Sequence, residues 1–480
     1  MAIYYIDAEN GDNRNSGLHE DCPLFSDSEL NLKPGDTVLF KRGTIIRGGV
    51  HNVSGAEGKP IKYAAYGVGK APIFCGSVDL KNPDLWFEEK KNIWICMPPV
   101  NDELANIVFN KGESCGTLRW TKKELTTQGD FFDECFGFKI KKKKIPDQHK
   151  IYLYSEKNPA LFYTSVEGAF YGESIMMNNG NDMIIENLKF INAGVHAIAG
   201  ARDSKNLLIR NCVFEYIGGG VWDYEQKIRY GNAVEFWNVA ENIEVYNCIF
   251  NDIYDSAVTH QGAEECEPCI NVNFHHNVFI KCGMAAYEQR DRLPLRASFY
   301  DNICVDAGEG FSKNGEVMPR FSEIWPQPMG HHIFLWRIEK PTDSGSLSIK
   351  NNIFYNAPYG AAIYSIIAEA AEDQTKLAGN TYYTENHELM CRWHGEDYRT
   401  FEECRYIDKL GKCEKVDIQA VVKARIDKIL SNQNSGGEYN EKNNSNGIVS
   451  GNDLDDGGRF KRLPKTKCKG RNVKVGTIGG

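Results

Sequence analysis

Short runs in which apolar and polar residues alternate recur through the middle of the chain. Examples are Asn206-Leu207-Leu208-Ile209-Arg210, Asn242-Ile243-Glu244-Val245-Tyr246 and Asn271-Val272-Asn273-Phe274-His275. A period of two marks a half-buried strand. Each run leads into a second unit, in which Asn is followed by an apolar, a variable and an apolar residue. These units begin at Asn187, Asn211, Asn247, Asn277, Asn302 and Asn352, in steps of 24, 36, 30, 25 and 50 residues. A third short strand follows a turn of small residues, as in Ala197-Ile198-Ala199, Ala233-Val234-Glu235-Phe236-Trp237, Ala257-Val258-Thr259-His260-Gln261, Ala285-Ala286-Tyr287-Glu288-Gln289 and Ala362-Ile363-Tyr364. No helical period intervenes, which disfavours doubly wound α/β folds.

Three short strands per repeat, a shortest repeat near 24 residues and an irregular excess describe one coil with loops of variable length. A single coil cannot bury its apolar face, whereas stacked coils share one core. The pattern therefore predicts an all-β fold, a right-handed parallel β-helix with three-strand coils. Stacking sets equivalent residues about 4.8 Å apart. The repeated Asn becomes a ladder whose amides bond one another and the backbone groups of the turns. Cys212 and Cys248 fall at one inward position as small apolar residues.

Both ends add a resemblance. Tyr5-Ile6-Asp7, Asn15-Ser16-Gly17, the run Leu32-Lys33-Pro34-Gly35-Asp36-Thr37-Val38-Leu39-Phe40, Gly58-Lys59-Pro60-Ile61 and Ala65-Tyr66-Gly67 resemble the opening of pectate-lyase-like β-helix proteins, where a Pro-Gly-Asp turn starts the first coils. Gly129-Asp130-Phe131-Phe132, Ile151-Tyr152-Leu153-Tyr154 and Asn158-Pro159 resemble a β-rich insert of carbohydrate-active members. Asp453-Leu454, Arg459-Phe460-Lys461-Arg462-Leu463-Pro464 and Gly476 resemble the tail that closes such helices. The resemblance implies the fold; that fold hosts hydrolases, lyases, epimerases and inert spikes, so it leaves the activity open. The expected organisation is a cap with first coils over 1–80, a β-rich insert over 81–165 with Trp86, Trp94 and Trp120, the main helix over 166–384, and closing coils and tail over 385–480. Within the last segment, residues 425–430 read as a short helix, and 431–437 and 443–447 as polar loops.

Outward residues of one strand ladder form a shelf, and long loops wall it into a groove that suits an extended polymer. The largest insertions span about 218–231, 262–270, 290–295 and 308–330, on neighbouring coils. Aligning the third strands at their first alanine sets Glu235, Thr259 and Tyr287 in one column, Phe236, His260 and Glu288 in the next, and Trp237, Gln261 and Gln289 in a third. Strict alternation would then turn His260 and Glu288 inward, buried together as an ion pair; a bulge or a one-residue offset would turn both outward, since an unpaired buried charge is costly. Glycoside hydrolysis needs two carboxyl groups about 5–9.5 Å apart, a spacing that outward groups one or two coils apart supply. The candidates are Asp223, Glu225, Glu235, Asp255, Glu288 and Asp291. Glu235 and Glu288, in strands, lead; Asp255 and Asp223 are substitutes, and His260 completes the catalytic set. Trp222, Trp237 and Tyr287 would stack on sugar, with Gln261, Arg290, His332 and Trp336 as further contacts.

A polysaccharide lyase acting on a uronic-acid glycan is the alternative. It would use His260 or Tyr287 as base, Arg290, Arg292, Arg296, Arg320 or Arg337 to neutralise the uronate, and Ca2+ as its metal. A non-catalytic glycan-binding β-helix is the third reading. Other motifs carry less. Cys266-Glu267-Pro268-Cys269 is a lone pair of cysteines where a structural zinc site takes four ligands. His275-His276 reads as one inward and one outward histidine, and Trp325-Pro326-Gln327-Pro328-Met329 as a lid or a packed connection. Gly218-Gly219-Gly220 lacks the Lys-Ser/Thr of a phosphate loop. Lys141-Lys142-Lys143-Lys144 reads as a solvated hairpin tip. No metal or other cofactor is expected of a hydrolase.

Composition narrows the field. The 480 residues include 56 basic and 65 acidic ones, a net charge of −9, so nucleic acid is not an expected partner. No apolar run has membrane-spanning length. The opening residues have neither a basic nor an apolar leader region, and the 15 cysteines, an odd number, read as mostly buried thiols. The expectation is a cytoplasmic protein as the chain stands, secreted if a leader was removed. The expected ligand is an oligo- or polysaccharide, with the oligomeric state left open.

Overall fold

The computed structural model describes residues 1–172, 175–178, 181–200, 204–262, 267–313, 330–384 and 389–434. The closing tail, Arg320, Cys266, the 325–329 loop and the polar stretches beyond residue 434 lie outside the described residues.

The chain winds as a right-handed parallel β-helix with three long sheets. The first has ten strands, from Ile3–Ile6 to Thr375–Ala378, and the second ten, from Ile45–Arg47 to Lys412–Cys413. The third has nine, from Met176–Asn178 to Glu396–Tyr398, the last of them antiparallel. Successive coils pair strand on strand. Ser204–Arg210, Val213–Ile217 and Val234–Phe236 form one coil; Ala240–Tyr246, Ile249–Ile253 and Ser256–Gln261 form the next.

Inward side chains stack along the axis. Phe74, Phe190, Phe214, Phe250 and Phe279 form a column with ring centroids 4.8 to 5.5 Å apart. Beside it runs the asparagine ladder, in a register the Asn repeat disguised. Val213, Ile249, Val278, Ile303 and Ile353 pair in sequence, so the residues before them, Cys212, Cys248, Asn277, Asn302 and Asn352, share one inward column. Asn277 donates its backbone N–H to Asn302 Oδ1 (2.9 Å), Asn302 to Asn352 Oδ1 (3.0 Å), and Asn352 to Asn380 Oδ1 (3.0 Å). Each amide also donates to the carbonyl of a neighbouring strand, at Val245, Phe274 and Phe299. Asn187, Asn211 and Asn247 belong to a different column. They hold left-handed turns with φ of 61°, 52° and 51°, where His276, Asp301 and Asn351 stand on later coils. Asn is the non-glycine residue that enters this region most readily, so two jobs share one residue type.

The outward face of the second sheet is apolar. Val213, Ile249, Val278 and Ile303 pack against Ile418, Val421, Val422, Ile426 and Ile429 of the helix Ile418–Asn434. That helix is longer than residues 425–430 suggest, because its apolar positions begin a full two turns earlier. It crosses the coils lengthwise: Arg425 Nη1 donates to Asp301 O at 3.0 Å and Gln433 Nε2 to Asn211 O at 2.6 Å.

The β-rich insert forms two smaller sheets, one of five strands around Ile93–Cys96 and Ile151–Tyr154, one of four around Leu104–Phe109 and Val166–Phe170. Trp86, Phe109, Phe131, Leu153 and Val221 share its core. Val221 lies in the hairpin Gly220–Asp223/Ile228–Tyr230, so the insert is packed on the hairpin that borders the third sheet. Arg229, buried, bonds Gly219 O (2.8 Å) and Asn106 Oδ1 (2.7 Å) and fixes the two together. Lys141, at the expected hairpin tip, reaches Glu225 at 2.5 Å. The thirteen described cysteines are free thiols, most of them buried. No helix among the described residues is long and apolar enough to cross a membrane.

Candidate functional site

On the third sheet the pairing runs Ala199, Glu235, Thr259, Glu288, Phe334, Tyr364 and Arg392 along one column. Its neighbour runs Phe236, His260, Gln289 and Leu335, and the next outward one Gln261, Arg290 and Trp336. Trp237, one residue beyond Phe236, heads that outward column. Glu235 and Glu288 thus share one outward column, two coils apart. The sequence alignment placed Glu288 beside His260 because it matched Ala285 to Ala257. Ser256 pairs Ala285, so Ala286 is the true counterpart of Ala257, and two consecutive alanines conceal the one-residue offset.

Glu235 lies within a ring of donors. His196 Nδ1 is 2.8 Å from Glu235 Oε2, Asn232 Nδ2 donates to the same oxygen at 3.2 Å, and Gln261 Nε2 donates to Oε1 at 3.4 Å. Burial pushes this carboxyl up, but the His196 charge and hydrogen bond, helped by Asn232 and Arg290, hold it below the usual carboxylate range. The partner moves oppositely. Burial pushes His196 down, and the Glu235 charge and hydrogen bond, with the field of Asp255, raise it overall. Glu288 is 2% exposed. It accepts from Ser256 Oγ at 3.1 Å and from Trp336 Nε1 at 2.8 Å, both uncharged donors. Trp336 stacks on Phe334 at 5.3 Å, and the Arg290 guanidinium lies 5.5 Å from the Trp336 ring and bonds Gln261. Glu288 thus meets a hydroxyl and an indole N–H, and Glu235 an imidazole.

No protein-family model and no curated protein sequence matches this chain. Solved structures match its fold. The complex of XylC with xylose aligns with a TM-score of 0.50 and 11% identity, over 81% of this chain and 66% of that protein's length. A structure named glycoside hydrolase gives 0.46 and 10%, over 89% and 98%, and the pectate lyase Pel9A 0.40 and 12%, over 82% and 72%. At such identities the likeness is one of fold, the parallel β-helix that the chain's opening residues resemble.

Three expected site residues leave the groove. His260 and Tyr287 point into the coil, His260 Nε2 2.7 Å from the Tyr287 hydroxyl, and Tyr287 stacks on Phe299. Burial pushes the imidazole down to about 3 and the phenol well up, so neither is a base or a sugar platform there. His332 also turns inward, its ring stacked on Phe354 at 5.6 Å, and burial pushes it down to about 3. His331 is the outward member of that pair and stacks on Tyr364. Both histidines of the other pair stay at the first sheet, His275 between Tyr246 and Tyr300.

The remaining candidates sit around the carboxylate column. Asp255, 4% exposed, accepts from Gly231 N at 3.3 Å below the hairpin. Gly231 has φ 135° and sits so close to Gly218 that a Cβ would lie 2.4 Å from the Gly218 Cα. Asp223 caps the hairpin turn through Gln226 N (2.9 Å), and Glu225 is exposed and paired with Lys141. Trp222 is 42% exposed and meets Tyr230 edge-on at 5.1 Å; Tyr230 meets His196 the same way at 5.5 Å and touches the Tyr171 hydroxyl. Asp291 lies 3.5 Å from Arg290 and 3.4 Å from Arg337; burial pushes its carboxyl up against the pull of both arginines. Sequence reasoning missed His196, Asn232, Ser256 and Tyr230. The first three share a signal, since each immediately precedes the aligned alanine of its coil: Ala197, Ala233 and Ala257. Tyr230 sits in the hairpin strand, where no repeat marks it. Among the described residues no three His, Cys, Asp or Glu side chains converge as a metal site would require.

Proposed function

We propose that the protein is a glycoside hydrolase that cleaves an oligo- or polysaccharide lying along the outward face of the third sheet. One observation carries this reading: Glu235 and Glu288 occupy the same outward strand column two coils apart, with Glu235 paired to His196. Carboxyl pairs whose environments differ divide into an acid and a base. Glu235, held ionised beside His196, is the base. Glu288, among Phe334, Trp336 and Ser256, is the acid that protonates the departing oxygen. Gln261 and Arg290 bond sugar hydroxyls, and Trp237 and Trp222 offer faces for stacking. The lyase reading weakens because His260 and Tyr287, its two bases, bond each other inside the coil. A protein of like fold is solved with xylose, a sugar ligand in keeping with a glycan substrate.

The test is a panel of neutral and uronic-acid glycans, followed at once by reducing ends and by absorbance of unsaturated products. New reducing ends without that absorbance are expected. Both signals together establish elimination and end the hydrolase reading. Binding without either signal leaves a glycan-binding helix.

A further inference from the structure

Coil stacking sets the backbones that carry outward groups apart in steps of about 4.8 Å. Glycosidases that form a covalent intermediate hold their carboxyl groups about 5–5.5 Å apart, close to one step. Those that use water directly hold them about 6.5–9.5 Å apart, which takes two. Glu235 and Glu288 are two coils apart, and Thr259 occupies the coil between.

Thr259 is no passive spacer. It is 0% exposed, and its Oγ1 has no hydrogen-bond partner. An orphaned buried hydroxyl costs about 1–3 kcal/mol, and Val would fill the same volume in a strand without that cost. A buried water needs two to four polar partners. The Glu235 carboxylate stands beside Thr259 on the preceding coil, so a water there would have the Thr259 hydroxyl and a carboxylate oxygen as its two partners.

We propose that Thr259 Oγ1 holds the nucleophilic water beside Glu235 and that the protein hydrolyses its glycan with inversion at the anomeric carbon. This rests on the hydrolase reading above. The water oxygen bonds to the anomeric carbon as its proton passes to the Glu235 carboxylate. The glycosidic C–O bond breaks, its electron pair leaves with the departing oxygen, and that oxygen takes the Glu288 proton. Exchange with solvent returns one proton to Glu288 and removes one from Glu235. Thr259 is a positioning residue: it orients the water and carries no proton.

The first test is a crystal structure of the unliganded protein at a resolution that shows waters, beside that of Thr259→Val. A water about 2.6–3.2 Å from Thr259 Oγ1 that also bonds a Glu235 oxygen is expected, absent from the valine variant. A dry Thr259, or a water out of reach of Glu235, overturns the proposal. The second test follows the first-formed anomer by proton NMR on whichever panel glycan yields reducing ends. The opposite anomer is expected, with no methyl glycoside in added methanol. Thr259→Val should lower kcat at least tenfold with KM nearly unchanged, and Thr259→Ser should restore it to within about threefold. Retention, or a methyl glycoside, defeats inversion and leaves the hydrolase reading standing. A bound water in a protein that releases no reducing ends defeats the hydrolase reading, and inversion with it, while the water site survives.

Discussion

On the second sheet five successive coils turn out Val213, Ile249, Val278, Ile303 and Ile353; on the third the same coils turn out Glu235, Thr259, Glu288, Phe334 and Tyr364. The backbone is alike in both, and the inward residues of both feed one core. What differs is what each face needs. A β-branched ladder is apolar surface that must be covered, and a 17-residue helix about 25 Å long spans about five coils and covers it. The other face keeps carboxylates, amides and an arginine in fixed register, with Thr259, Gln261 and Glu288 buried. Charged groups held out of water by a rigid scaffold have no stabilising purpose, which is the physical reason to assign chemistry to that face. The comparison predicts that damage to one face reads out in turnover and damage to the other in stability.

The largest effect should come from Glu235→Gln and Glu288→Gln. Each keeps shape and removes the ionisable group, so kcat should fall by roughly 10²–10⁴ while the unfolding midpoint moves little. Full activity in either variant would break the contrast. At the covered face, Ile429→Ala empties a fully buried position on the inner side of the helix. It should cost roughly 2–5 kcal/mol in urea unfolding and leave kcat of the folded protein unchanged. Loss of turnover at full stability would mean that the helix serves the site.

His196→Gln sharpens the comparison on the acidic side. The Glu235 carboxyl lies below its ordinary value of 4.5 and the His196 imidazole above 6.5. For Glu235, the stabilisation is complete above pH 4.5 and fades as pH falls through its depressed value. For His196, it is complete below pH 6.5 and fades as pH rises through its elevated value. The ion pair is therefore fully formed between about pH 4.5 and 6.5. Without the imidazole, burial acts on Glu235 against only the smaller pull of Asn232 and Arg290. The acidic limb of kcat/KM should shift upward in pH, with a loss of roughly 10–100-fold at pH 5 and less at pH 7. An unmoved limb would show that Glu235 does not govern it.

How much of this was legible depends on the kind of residue. The coil, its three strands and the inward cysteines follow from apolar alternation, because each coil repeats the same burial demand. Register is harder. Asn fills both the left-handed turn and the ladder, so counting from asparagine merges Asn211 with Asn277, which stand one residue apart. Ala285 and Ala286 do the same on the third sheet, and a one-residue slip exchanges the inward and outward faces. That slip brought His260 and Tyr287 into the expected site and left out Ser256. His196 and Asn232 were missed for another reason: they lie at the turn before the strand, where alternation says nothing. Glu235 and Glu288 were legible as candidates because carboxylates in strands of an apolar core are conspicuous in any register.

The smallest effect should come from Trp237. Its ring is 57% exposed, at the edge of the outward column with Gln261, Arg290 and Trp336. Trp222, by contrast, already leans on Tyr230. An exposed indole contributes little to folding, since its surface is as wet in the native state as its position allows. Laid against a sugar face, it contributes about 0.5–1.5 kcal/mol. Trp237→Ala should therefore raise KM by about 2–10-fold at unchanged kcat, and Trp237→Phe should recover most of the loss. Isothermal titration with the glycan that is turned over, alongside thermal unfolding, separates the alternatives. A lowered unfolding midpoint with unchanged KM would place Trp237 among the residues that hold the coil, and would move the edge of the functional face inward to Gln261.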